Sequence, residues 1–148
     1  MNFNTLLLQE QDGICTITFN RPDKRNAVSF ELVSDLMRAL DHAAKSDTTQ
    51  VVIFTGAGKA FCAGLDLEEL KSLIGKSQEQ NVKDSQTMAN MFRAIYDFPK
   101  PTIAAVNGAA IAGGTGIATM SDFTFAVPEA KFGYTEVRIG FVPAIVSS

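Results

Sequence analysis

Residues 102–120 read TIAAVNGAAIAGGTGIATM, and this stretch decides the fold class. Thr102–Val106 is a short apolar run that predicts a buried strand. Asn107-Gly108 turns the chain, and Gly113-Gly114-Thr115-Gly116 then opens a helix of small residues. The same order of strand, glycine-rich loop and helix occurs around Val51–Thr55. We therefore predict one mixed α/β domain built from repeated units.

The other elements fit the same interpretation. The sequence predicts a hairpin from Phe3–Leu8 and Ile14–Phe19, followed by a helix that Ser29 caps and that ends near Lys45. Phe123–Val127 is predicted to be a third buried strand. Residues 72–85 are polar and weakly patterned, and we expect them to be mobile.

Composition bounds the possible functions. The chain has 148 residues, of which 46% are hydrophobic and 20% charged, and this balance predicts a folded globular domain. Its formal net charge is -3, and no long Lys/Arg cluster is present, so we expect no nucleic-acid partner. No apolar stretch approaches the roughly 20 residues that a membrane span needs, and no signal peptide is visible. We expect no membrane association and, by default, a cytoplasmic location.

Several chemistries are excluded by the residues themselves. His42 is the only histidine, and Cys15 and Cys62 are the only cysteines, so neither a catalytic Ser-His-Asp set nor a usual zinc site is expected. We interpret both cysteines as buried thiols and His42 as a solvated helix residue. No nucleotide-binding glycine motif is complete.

Two loops rich in Gly and Ala lead into helix N-termini, at Ala63-Gly64-Leu65 and at Ala112-Gly113-Gly114. Such loops let a ligand oxygen approach backbone N–H groups, and the helix dipole favours negative charge there. Two converging N–H groups would form an oxyanion hole, suited to a thioester that becomes an enolate, with each donor contributing about 2.7–4 kcal/mol. The alternative is that the small residues serve only close packing of helix on strand.

Four motifs, in this order, closely resemble the crotonase (enoyl-CoA hydratase/isomerase) superfamily. They are Asn20-Arg21-Pro22 with Arg25-Asn26-Ala27, residues 60–67 (AFCAGLDL), Val106-Asn107-Gly108 with Gly113-Gly114, and Phe132-Gly133 before Glu136. The resemblance covers essentially the whole chain. It implies a spiral of ββα units, acyl-CoA thioester substrates, a homotrimer or hexamer, and no metal or redox cofactor, since coenzyme A is part of the substrate.

The resemblance also implies roles for individual residues. By the family pattern the oxyanion donors are the backbone N–H groups of Leu65 and Gly113. The bend around Lys24, Arg25 and Ala27 resembles the family's CoA-binding loop, and the positions expected near the adenine and pantetheine are Ala63, Asp66 and Leu67. For the two cations, an ordinary solvated loop charge is the alternative.

Glu136 matches a catalytic glutamate of the family. It follows Phe132-Gly133-Tyr134 and precedes Val137, so we expect an apolar pocket that raises its pKa and lets it exchange protons near neutral pH. The second glutamate of two-glutamate hydratases falls on Gly116, which has no side chain to hold water. One glutamate suits an isomerase, yet residues 136–147 resemble most closely the methylglutaconyl-CoA hydratase-like branch.

Three functions follow from these residues. A hydratase-type lyase is our first prediction, an enoyl-CoA double-bond isomerase the second, and a catalytically idle acyl-CoA-binding or assembly subunit the third. The family normally continues well past Ser148, so we expect the chain to be an N-terminal portion that lacks the C-terminal helical part.

Overall fold

A computed structural model describes residues 2–72 and 74–136, and the structural statements below concern these residues. They contain eight strands, four α-helices and one short 3-10 helix, Pro22–Lys24, and each of the first three pairs of strands is followed by helix. Their bounds are β1 Leu6–Gln11, β2 Ile14–Phe19, α1 Phe30–Lys45, β3 Val51–Gly56, β4 Ala60–Cys62, α2 Leu67–Ser72, α3 Gln78–Tyr96, β5 Thr102–Val106, β6 Ala109–Ile111, α4 Gly113–Met120, β7 Phe123–Ala126 and β8 Phe132–Gly133.

The strands form two sheets. The larger has the order β1-β2-β3-β5-β7, in which β1 is antiparallel to β2 and every other pair is parallel. The smaller has the order β4-β6-β8 and is parallel throughout. Strand β3 lies in the large sheet and β4 in the small one, and α2 and α3 follow. Likewise β5 lies in the large sheet and β6 in the small one, and α4 follows. The predicted spiral of ββα units is confirmed.

Helix α1 forms where the sequence predicts it. The Ser29 hydroxyl accepts a hydrogen bond from the Leu32 N–H, which satisfies one of the unpaired donors of the first turn. Leu32, Val33, Leu36 and Leu40 are buried, and their spacing places them on one face of the helix. This face closes the core over the large sheet.

The core also joins the two sheets. The Phe19 ring of β2 stacks at 6.5 Å on the Phe54 ring of β3 and meets the Phe61 ring of β4 edge-on at 5.5 Å. All three side chains are fully buried. Edge-to-face and stacked aromatic pairs stabilise beyond the area that they bury, so this cluster holds the small sheet against the large one.

Burial of the strands differs from the prediction. Strands β3 and β5 have one fully buried face, whereas the residues of their other face are only partly buried. All four residues of β7 are exposed, so the expectation of a buried strand at Phe123–Val127 is wrong. The reason is that β7 is an edge strand of the described sheet, and the apolar composition of a run does not reveal its place in the sheet.

Other boundaries also moved. Strand β1 begins at Leu6 and continues through polar Gln11, because Asp12 and Gly13, with φ of 52° and 82°, make a two-residue hairpin turn. Residues 78–85, expected to be mobile, belong to α3, which starts with a reciprocal Ser77–Gln80 capping box. The short strands β4, β6 and β8 were not predicted, since two or three residues show no periodicity.

Both cysteines are buried thiols, as predicted. Burial raises the pKa of Cys15 and of Cys62 to about 11, so both stay protonated at neutral pH. His42 Nε2 lies 3.0 Å from Glu10 Oε2, so this histidine has a carboxylate neighbour rather than solvent alone. Within residues 2–72 and 74–136, no helix is long and apolar enough to cross a membrane.

Candidate active site

The candidate site lies where the parallel strands of the large sheet end. Strands β2, β3 and β5 run in the same direction, so the loops that follow them meet at one edge. Side-chain amides join these loops. The Asn26 Nδ2 group donates to Ala57 O at 2.9 Å and to Ala60 O at 2.8 Å, and its Oδ1 accepts from the Arg21 N–H at 2.9 Å. The loop between β2 and α1 is thereby fixed to the start of β4.

Asn107 makes a second link at the same edge. Its Oδ1 accepts from the Gly56 N–H at 3.1 Å, and its Nδ2 donates to Gly56 O at 2.8 Å. Gly108 follows so close to β4 that an added Cβ would lie 2.2 Å from Lys59 O. The loops after β3 and β5 therefore pack backbone against backbone, which only glycine permits here.

The two glycine-rich loops of the sequence converge. Strands β4 and β6 are parallel neighbours, and Gly64 follows the first while Gly113 follows the second. A Cβ built on Gly113 would lie 3.9 Å from the Gly64 Cα, and one built on Gly64 would lie 3.6 Å from the Gly113 N. The Leu65 N–H, one residue after Gly64, is thus a near neighbour of the Gly113 N–H.

Neither of these N–H groups donates a hydrogen bond to another described residue. The neighbours of Leu65 are paired: Gly64 O accepts from the Val28 N–H at 2.7 Å, and the Asp66 N–H donates to Val28 O at 2.9 Å. Gly113 is the first residue of α4, where unpaired N–H groups and the helix dipole create a partial positive charge. The arrangement can bind an oxygen that develops negative charge.

Ala112 holds this geometry under strain. Its φ is 50°, in a region that residues other than Gly rarely adopt. The Ala112 N–H donates to Gly133 O at 2.7 Å, and Ala112 O accepts from the Gly116 N–H at 3.0 Å. These bonds fix the peptide that carries the Gly113 N–H.

Glu136 follows a strand that pairs with β6, the strand that precedes Gly113. Strand β8 pairs with β6 through Ile111 and Gly133, and Glu136 follows three residues later. Its side chain is half-buried, and Oε2 is shielded from solvent with no hydrogen-bond partner among the described residues. Most shielded side-chain oxygens have a hydrogen-bond partner, so this atom stands out among the described residues.

The residues predicted to bind CoA surround the first loop. Lys24 and Arg25 are exposed, and Lys24 Nζ lies 3.0 Å from Glu68 Oε1. Ala27 is buried, whereas Leu67 is 67% exposed. Ala63 is half-buried, and its N–H donates to Arg25 O at 3.1 Å, so the bend and the β4 loop form one surface. Their contact with CoA stays a prediction.

Asp66 has partners within the chain, of which the ion pair with Arg21 was not predicted from the sequence. It is 4% exposed, its Oδ2 accepts from Arg21 Nη2 at 2.8 Å, and its Oδ1 accepts from the Glu68 N–H at 2.9 Å, at the start of α2. Burial raises the pKa of this carboxyl, but the bonds from Glu68 and Arg21 outweigh burial and lower it below its usual value of 3.8. The carboxylate is therefore ionised at neutral pH and engaged within the chain.

Sequence reasoning named the loops but missed the side chains that organise them. Asn26 and Asn107 lie inside the quoted motifs, but nothing in the neighbouring residues shows that their side-chain amides bond to the backbone of other loops. The role of the Thr115 hydroxyl could not be predicted, because its partner Gly133 is distant in sequence. Gly116, the position expected to lack the second glutamate, is buried in α4. In the described parts of the chain, no three His, Cys, Asp or Glu side chains are placed to hold a metal ion.

Comparisons with known proteins agree with this architecture. The family described as "Enoyl-CoA hydratase/isomerase" matches residues 9–148. A solved enoyl-CoA hydratase from Shewanella pealeana superimposes with a TM-score of 0.95 at 32% identity, over 98% of this chain and 55% of that one. The fold is therefore crotonase-like, and the chain belongs to the enoyl-CoA hydratase/isomerase family.

Curated relatives carry two kinds of name. A Thermus thermophilus protein named "Putative enoyl-CoA hydratase" is 42% identical over 93% of this chain and 54% of its own length. The mouse protein "Enoyl-CoA delta isomerase 3, peroxisomal" is 34% identical over 97% of this chain and 45% of its own length. The chain thus spans about half the length of the curated relatives that it matches.

Gly64→Ala should destabilise the protein and displace the Leu65 N–H. Gly64 has φ +89°, and a Cβ there would lie 2.9 Å from the Ala112 Cβ and 3.0 Å from Ile111 O. We expect a loss of about 1–3 kcal/mol in the free energy of unfolding, measured with urea. Gly75→Ala is the matched control, because Gly75 has φ +99° and no atom within 4 Å of an added Cβ. Equal losses in the two variants would show that the contact with Ala112 contributes nothing.

Asp66→Asn should lower stability at neutral pH by about 1–2 kcal/mol, since it removes a buried ion pair and a charged helix cap. The pKa of Asp66 is lowered by folding, so its contribution is present above about pH 3.8 and is lost as the pH falls through the folded pKa. The difference between parent and variant should therefore shrink in acid, as measured by urea unfolding from pH 7 to pH 3.

Glu68→Gln is the control for Asp66, because the Glu68–Lys24 pair is exposed and should contribute under about 1 kcal/mol. A constant Asp66→Asn deficit at every pH would contradict the assignment of a stabilising charge.

Proposed function

We propose that the protein adds water to the double bond of a 2-enoyl-CoA thioester. The observation that carries the proposal is the meeting of Gly64 and Gly113, which brings together two N–H groups with no partner among the described residues. In this mechanism the Leu65 and Gly113 N–H groups bind the thioester oxygen. They stabilise the negative charge that this oxygen gains as the enolate forms, at about 2.7–4 kcal/mol per donor.

Glu136 is the proposed acid and base. In hydration, its carboxylate takes a proton from water as the hydroxyl adds to the β-carbon, and the carboxyl then returns a proton to the α-carbon. Water is gained and the glutamate is restored. The shielded, unpartnered Oε2 atom supports this assignment, because it has no competing donor among the described residues. General acid-base catalysis of this kind contributes about 10²–10⁴-fold.

Isomerisation is the second candidate, and Gly116 is the observation that favours it. In the family pattern this position carries the other glutamate of two-glutamate hydratases, and Gly116 has no side chain to orient water. An isomerase needs one group to remove a proton from one carbon of the acyl chain and return it at another, which Glu136 alone could do. The mouse relative carries an isomerase name.

The finer parts of the proposal concern the substrate and the assembly. We propose that CoA contacts Lys24, Arg25, Ala27, Ala63, Asp66 and Leu67, and that the protein forms a homotrimer or hexamer. Methylglutaconyl-CoA is the proposed substrate. It rests on residues 136–147, nearly all of which lie outside the described residues. The cytoplasmic location also stays a prediction.

The deciding experiment incubates the protein with a panel of enoyl-CoA thioesters, including 3-methylglutaconyl-CoA, in isotope-labelled water. Mass spectrometry of the products separates the candidates. Gain of one labelled water supports the hydratase, whereas an unchanged composition with a shifted double bond supports the isomerase. Binding of the thioesters without any product would support the idle subunit and overturn both enzyme proposals.

Glu136→Gln should lower kcat by at least about 100-fold, because the amide cannot transfer the proton, while CoA affinity should persist. Steady-state kinetics and calorimetric titration with acyl-CoA measure the two effects. Glu129→Gln is the control, since Glu129 is an exposed glutamate of the same segment. Activity retained in Glu136→Gln would remove Glu136 from the mechanism.

A further inference from the structure

We propose that Thr115 is a positioning residue, whose hydroxyl holds the Glu136 segment in register with the Gly113 N–H. This inference rests on the proposed function and adds to it a residue that the motifs do not identify. Thr115 is 5% exposed and lies in the first turn of α4, two residues after Gly113. It is therefore part of the helix end that provides an oxyanion donor.

The Thr115 hydroxyl joins two strands of the small sheet. It donates to Ala110 O in β6 at 2.6 Å and accepts from the Gly133 N–H in β8 at 3.1 Å. Gly133 O lies farther away, at 3.3 Å, and a hydroxyl has one hydrogen, which the shorter contact with Ala110 O takes. The hydroxyl proton is thus donated to β6 and an oxygen lone pair accepts from β8, so both bonds leave α4.

Strand β8 depends on few hydrogen bonds. The Ala110 N–H donates to Lys131 O at 2.8 Å and the Ala112 N–H donates to Gly133 O at 2.7 Å. The parallel register of Ala110 with Phe132 and of Ile111 with Gly133 also directs the Gly133 N–H toward Ala110 O, so the Thr115 hydroxyl is a second acceptor for this donor and ties it to α4. Strand β8 has only two residues, so loss of the hydroxyl removes one of the few bonds that hold it against β6 and α4.

The position of Glu136 follows from that of Gly133. Glu136 lies three positions after Gly133, a distance of at most about 10 Å in an extended chain. Gly133 is bonded to Ala112 and to Thr115, which flank the Gly113–Gly114 pair. The donor that would bind the thioester oxygen and the carboxyl that would move the proton therefore share one frame. A displacement of about 1 Å in such a frame can cost 10²-fold in rate.

The test compares Thr115→Val, which keeps the shape and removes the hydroxyl, with Thr115→Ser, which keeps the hydroxyl. We expect Thr115→Val to lower kcat by about 10–100-fold with KM changed much less, and Thr115→Ser to recover most of kcat. Thr119→Val is the matched control in the same helix, since the Thr119 hydroxyl donates only to carbonyls of α4 and the residue is exposed. It should leave kcat unchanged.

A double variant separates positioning from a general loss of structure. If Thr115 acts through Glu136, adding Thr115→Val to Glu136→Gln should lower kcat no further. All assays are made well below the temperature at which each variant unfolds. An equal loss in both backgrounds, or a serine variant as impaired as the valine variant, would overturn the proposal.

Hydrogen exchange tests the inference without turnover. Thr115→Val should speed exchange in a peptide covering residues 128–136 and leave the peptide of β3 unchanged. Unchanged exchange at 128–136 overturns the positioning role whatever the activity. Faster exchange in a protein whose parent turns over no enoyl-CoA confirms the structural contact, but it overturns the proposed function and the catalytic consequence of Thr115 with it.

Discussion

The side-chain amide of Asn26 is the interaction on which the arrangement of loops depends. Asn26 is fully buried, with φ of 56°, a conformation that asparagine tolerates better than most residues. Its amide bonds to Arg21, Ala57 and Ala60, so the polar group is satisfied inside the protein. Gly56 permits this approach, because a Cβ there would lie 2.8 Å from Asn26 Nδ2. Strand β4 can therefore begin directly beneath the end of β3.

Once β4 lies there, the position of the candidate site follows. Parallel pairing of β4 with β6 places the ends of both strands at the same edge, so Gly64 and Gly113 meet. The strained conformation of Ala112 costs about 1–3 kcal/mol and persists because its N–H and C=O are both bonded. The N–H groups of Leu65 and Gly113 are thus held in place by the fold, as the proposed binding of a thioester oxygen would require.

Local signals predicted the elements that have them. Helix α1 has a serine cap and a regular apolar stripe, and the hairpin has Asp12-Gly13, so both were predicted in type, and of their bounds only those of β1 differ clearly from the prediction. The failures have a common cause. Strands β4, β6 and β8 are too short for any period, and the exposure of β7 depends on which strands flank it. Neither property is encoded within a few neighbouring residues.

The sequence by itself determined the mixed α/β class, the order of the repeated units and the motifs by which the family is identified. Only the tertiary structure decided that Asp66 pairs with Arg21, that Asn26 joins three backbone groups, and that Thr115 bonds to Gly133. These contacts link residues far apart in the chain. Their partners are chosen by the packing of the two sheets, because a buried polar group must bond to whatever the fold brings within about 3 Å.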